Sequence, residues 1–171
     1  MPRVSFVRRA AVCIAALALV LVVPARAAQP GEAVPLTVTV DGQAAASLTD
    51  GSRSTKVTLS GGTVTVTAAA PFDALYVIWD QPPGPWVLTP DDGQPASTWG
   101  QQGFLHEYVS LARSASSAAI EAPPGAILCE VYALAGDDLP DWVQVWQPPC
   151  EDADLLVLPT HADDEHLWFG G

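Results

Sequence analysis

His161, Asp163 and Asp164 stand close together in "LLVLPTHADDEHLWFGG", residues 155–171 of a 171-residue chain. Imidazole nitrogen and carboxylate oxygen are ligands that a borderline metal such as Zn2+ accepts, and a catalytic zinc needs three protein ligands plus an open position for water. With two residues between them, His161 and Asp164 can supply two of those ligands. Asp163 need not ligate and can take a proton from metal-bound water, so adjacent acids divide the work of ligand and general base. The competing reading is a solvated acidic turn. His166, a turn further along, reads as a surface histidine, and Trp168 and Phe169 as packing residues.

An active-site loop needs an element to carry it. "DLLVLPT" is apolar throughout, as expected of a parallel strand covered on both faces. The loop at the carboxyl end of such a strand is where α/β proteins place their sites. Before it, "WQPPCEDADL" joins two prolines to an acidic stretch, which sets a domain boundary within 147–152. The order of strand, histidine, paired acids and glycines resembles the opening of the PIG-L (LmbE-like) deacetylase family. The resemblance implies a Rossmann-like α/β domain and zinc-dependent removal of an acetyl group from N-acetylglucosaminyl compounds. It makes His161 the first zinc ligand, Asp164 the second and Asp163 the general base, with Glu165 structural. Ala162 stands where the family has proline. The family's third ligand is a histidine far downstream, so residues 151–171 are expected to be the truncated start of the domain. Alone, the chain should bind zinc weakly and catalyse nothing measurable.

Upstream the pattern changes. "PLTVTVDG" and "KVTLSGGTVTVTA" alternate valine or leucine with threonine, the period of half-buried strands. Further strands are expected at 74–79, 104–111, 117–121, 127–134 and 142–146, separated by "DQPPGP", "TPDDGQP", "EAPPG" and "AGDDLPD". Short strands with turn signals between them imply a mainly β domain, an antiparallel β-sandwich over 28–150. "LTDGSRSTKVTL" and "GAILCEVYALAGDDLPD" resemble the discoidin (F5/8 C, galactose-binding-like) sandwiches. Locally, Asp50-Gly51 reads as a turn in which the aspartate bonds backbone two residues on. Such folds can also hold Ca2+ near Asp50, although one carboxylate with backbone oxygens is a thin site. Trp86 and Trp99 fall in Pro/Gly-rich stretches near Asp91, Asp92, Gln94 and Gln101. They either form a carbohydrate-binding edge, ring faces on sugar faces, or cover the ends of the sandwich.

The N-terminus reads as a signal peptide. Arg3, Arg8 and Arg9 precede an apolar run, and "ARA" is a peptidase site with cleavage after Ala27. Removing 1–27 leaves Arg53, Lys56 and Arg113 against 19 acids, a formal charge of −16. A secreted chain this acidic has no nucleic-acid partner and, once cleaved, no membrane partner. Its remaining cysteines, Cys129 and Cys150, read as a disulfide contributing about 3 kcal/mol. The expected activity is therefore that of a secreted N-acetyl deacetylase acting on an amino sugar or glycan. The alternative is a non-catalytic carbohydrate-binding or adhesion sandwich.

Overall fold

The computed structural model describes residues 33–146, apart from 92 and 137. The signal segment 1–27, Cys150, and residues 151–171 with His161, Asp163 and Asp164 lie outside the described residues.

The described chain is mainly antiparallel β-structure. Its strands are β1 (Ala33–Val34), β2 (Leu36–Val40), β3 (Gln43–Ala44), β4 (Val57–Thr58), β5 (Thr63–Trp79), β6 (Trp86–Pro90), β7 (Ser97–Trp99), β8 (His106–Glu121) and β9 (Ile127–Leu134). The Val/Thr alternation does what its period demands. β2 and β5 pair with Val38 opposite Val66 and Val40 opposite Val64, while Thr37 and Thr39 face Thr67 and Thr65. The valines at 38, 64 and 66 are buried on one face.

Two strands organise the rest. β5 has 17 residues and β8 has 16, about three times the usual strand length. They pair along their whole course, but the register shifts between Thr67, Phe72 and Ala74. Pro71 lies within that irregularity, the kind of place where a residue without an N–H is tolerated in a sheet. The bend divides the pairing into two parts. The first half of β5 joins β2 and the end of β8, which also pairs with β6, and β6 in turn pairs with β7. The second half joins β9 and the start of β8, and β9 carries β1 and β4. One apolar core collects side chains from both parts, Val64, Leu88 and Ile120 from one and Leu75, Val109 and Val131 from the other. Burial of such side chains is worth about 1.5–3 kcal/mol each.

The second half of β5 is buried on both faces. Leu75, Val77 and Trp79 enter the main core, and Ala74, Tyr76 and Ile78 form a second cluster with Cys129 and Leu134. That outer face is covered by the segment after β9. Trp142 packs on Tyr76 and Tyr132 with ring centroids 5.8 and 4.8 Å apart, and the Gln144 N–H donates to the Tyr76 hydroxyl at 3.2 Å.

Three expectations change here. The separate strands at 104–111 and 117–121 are one continuous β8, because the sheet bends through a register shift instead of breaking at a loop. The segment 142–146 is not a strand. It lies along the outer face, with Val143 half-buried and Trp142 resting on Tyr76 and Tyr132 while 45% exposed. The stretches around Trp86 and Trp99 are paired strands, β7 at the sheet's edge and β6 between β7 and β8, with Pro90 at the end of β6 beyond its pairing with β7. Among the described residues no helix is long and apolar enough to cross a membrane.

Candidate functional site

Glu107 alternates with His106 and Tyr108 on β8, so its side chain points inward with Val109. A carboxylate buried there must be satisfied. Oε2 accepts the indole N–H of Trp86 at 2.5 Å and of Trp79 at 3.2 Å, and Oε1 accepts the Gly100 N–H at 2.8 Å. Gly100 has φ +80°, and a Cβ there would stand 2.1 Å from the Gly84 carbonyl oxygen. Only glycine lets the turn after β7 approach closely enough to hand its N–H to Glu107. The carboxylate thus fixes two tryptophans and one turn.

Above this floor lies an open cleft of about 290 Å3, between the 98–108 segment and Val145 and Trp146. Its rings are Trp99, Phe104, Tyr108 and Trp146. Phe104 and Trp146 stack at 5.8 Å with 25° between planes, and Trp146 keeps 56% of its surface exposed. Trp99 is oriented by its indole N–H, which donates to Ser97 Oγ at 2.8 Å. Thr98, Gln101, Gln102 and His106 add polar groups to the same walls. Of the exposed large apolar residues among those described, Val145 and Trp146 line this cleft.

His106 is held by the core. Its Nδ1 lies 2.6 Å from the Tyr76 hydroxyl, which already accepts the Gln144 N–H. We assign the hydroxyl proton to Nδ1, which leaves Nε2–H as the imidazole's free donor. Burial, and then the charge of Arg53, hold the imidazole below its ordinary pKa, so it is neutral at pH 7.

A second cluster surrounds Asp50. Its carboxylate accepts the Ser52 N–H at 2.8 Å and the Thr55 hydroxyl at 2.8–2.9 Å, the turn expected of Asp50-Gly51. The Thr55 hydroxyl and then the Ser52 N–H hold Asp50 below the usual carboxylate range. The same Ser52 N–H also reaches Glu130 Oε1 at 2.9 Å. Glu130 is fully buried, its Oε2 has no hydrogen-bond partner, and burial followed by the neighbouring Asp50 pushes its pKa up to about 7. A hard cation takes oxygen ligands. Asp50, Thr55 and the orphaned Oε2 of Glu130 have the chemistry to hold Ca2+. Among the described residues no group of three or more His, Cys, Asp or Glu could hold a metal.

The structure separates the two tryptophans read together from sequence. Trp99 lines the cleft. Trp86 is fully buried with its N–H on Glu107, so it offers no ring face to a sugar, and its reading as a binding residue is corrected. Phe104, His106 and Trp146 are cleft residues that sequence reasoning did not single out; the clustering of aromatics at 142–146 was the available signal. Cys129 carries a buried thiol raised by burial, and Cys150 lies outside the described residues.

No family model matches the chain, and no curated protein matches it. Solved structures do. The module CpGH89CBM32-6 produced by Clostridium perfringens is similar at a TM-score of 0.48 and 14% identity, over 59% of this chain and 94% of that one. The CBM32 of AlyQ, in complex with 4,5-unsaturated mannuronic acid, gives 0.43 and 17% over 63% and 99%. CpGH89CBM32-4 of Clostridium perfringens, in complex with GlcNAc-alpha-1,4-galactose, gives 0.42 and 12% over 57% and 88%.

Proposed function

We propose that the protein is an exported carbohydrate-binding β-sandwich that holds a small glycan in the cleft between Trp99 and Trp146. The observation that carries this reading is the pairing of ring faces with uncharged polar groups in one open cleft. Aromatic faces suit the apolar C–H faces of a sugar, while amides, a hydroxyl and a neutral imidazole match its hydroxyls. The test is Trp146→Ala. Trp146 is exposed, so the fold should survive. Affinity for a bound glycan should fall roughly ten-fold, about 1.4 kcal/mol. Unchanged affinity in titration calorimetry would remove Trp146 from the site.

Ca2+ at Asp50, Thr55 and Glu130 is part of the same proposal. Its contribution is structural, tying the 50–55 turn to β9.

The order of residues in 155–171 supports a second reading, in which 151–171 opens a zinc-dependent deacetylase domain. His161 and Asp164 would hold the metal, and Asp163 would accept a proton from water as it attacks an acetamide. His161→Ala in the full-length protein should then abolish both zinc content and acetate release. Retained hydrolysis sinks this reading.

A further inference from the structure

The cleft's charge distribution says which glycans it takes. Beyond residue 26 the chain has three basic residues, Arg53, Lys56 and Arg113, and none of them lines the cleft. Lys56 is paired with Asp80 at 2.8 Å. Arg113 sits at the β8 bend, five residues beyond Tyr108, with its backbone N–H and C=O bonded to Gln94. Arg53 belongs to the 50–55 turn; its field reaches His106, but it makes no wall of the cleft. Among the described residues the one charged lining residue is Glu107, and its carboxylate already accepts three N–H groups.

An anionic sugar entering this site would shed water without gaining a charged partner, and would approach a buried carboxylate in a chain of net charge −12. Carboxylate and sulfate recognition ordinarily relies on arginine or lysine. The groups that are present, the Gln101 and Gln102 amides, the Thr98 hydroxyl and the His106 Nε2–H, are neutral. Amides and hydroxyls both donate and accept, as sugar hydroxyls do.

Resting on the carbohydrate-binding reading, we infer that the cleft selects uncharged sugars, neutral hexoses or N-acetylhexosamines, and discriminates against uronic and sulfated sugars. The probe is a glycan array presenting galactose-, glucose-, mannose- and N-acetylglucosamine-terminated glycans beside galacturonate-, mannuronate- and sulfate-terminated ones, read at low and at physiological salt with the full chain. Binding confined to neutral termini, insensitive to salt and lost with Trp146→Ala, is the expected result. Gln101→Arg places a guanidinium at an exposed position of the wall and should bring uronate signals up about ten-fold relative to neutral ones. If charged termini bind as well as neutral ones and Trp146→Ala abolishes that binding, the selectivity is overturned and the carbohydrate reading stands. If no glycan of either kind binds, both fall.

Discussion

Glu107→Ala is expected to cost the domain on the order of 4 kcal/mol and to abolish what the cleft binds. The magnitude follows from what the carboxylate serves. Each buried donor left without an acceptor costs about 1–3 kcal/mol. Here three donors lose their acceptor at once, the indoles of Trp79 and Trp86 and the Gly100 N–H. Trp79 and Trp86 also pack on each other, with centroids 5.7 Å apart, so their rotation would loosen the core beneath the cleft. Gly100 begins the segment that carries Gln101, Gln102 and Phe104, so the polar wall loses its anchor too. Glu107→Gln keeps one acceptor oxygen but turns an NH2 toward N–H donors, and should fall between wild type and alanine. Urea melts of the three proteins give the ranking. A loss under about 1 kcal/mol for alanine would show that water replaces the carboxylate, and the floor would not be the rigid part argued for above.

Glu107 was open to recognition in the sequence and still escaped notice. In "HEYVSL" it has the same parity as Val109, which places an acid on an inward-facing position. Parity alone cannot say whether such an acid is satisfied, because its donors come from β5, β6 and the turn after β7, which only folding brings together. The Val/Thr strands were legible because each has one apolar face, and β9 was legible as a dense apolar run. β6 and β7 were not, since Pro90 closes β6 beyond the reach of β7 and Pro95 stands two residues before β7, and both read as turn signals. Trp86 and Trp99 illustrate the same limit. Both are tryptophans in similar contexts, and they stand directly opposite each other across β6 and β7. One is sealed inside and the other reaches the cleft, a difference made by β8 and by the turn at Gly100 that cover Trp86. The bond of Asp50 to the backbone two residues on was readable because it is local, whereas the Thr55 hydroxyl bond was not foreseen. Nor was the meeting of Asp50 with Glu130, 80 positions away in sequence.

That meeting leads to the second large effect. Glu130 has a pKa of about 7 in the folded protein, against an ordinary value of 4.5. A carboxyl raised in this way binds its proton more tightly folded than unfolded. Its protonated form therefore contributes stability fully below about pH 4.5, and that contribution is lost as pH rises toward and through about 7. The loss is on the order of 3 kcal/mol. Asp50, held low by Thr55 and Ser52, works in the opposite sense, its contribution present above its unfolded value and lost only as pH falls through the folded one. Urea melts should thus show wild type less stable at pH 8 than at pH 5, and Glu130→Gln should remove most of that difference. A wild-type midpoint that stays flat across this interval would mean that Glu130 does not carry the buried proton. Calcium supplies a second arm. Bound between Asp50 and Glu130, it would replace the proton as the partner of Oε2, so adding it at pH 8 should restore stability to wild type and leave Glu130→Gln little changed. Equal response of the two proteins to calcium would place any bound cation elsewhere. The proton and the cation would then compete for one oxygen, so the affinity of the sandwich for calcium must itself rise with pH as Glu130 ionises, and chelation should destabilise the protein most where the proton can no longer take the metal's place.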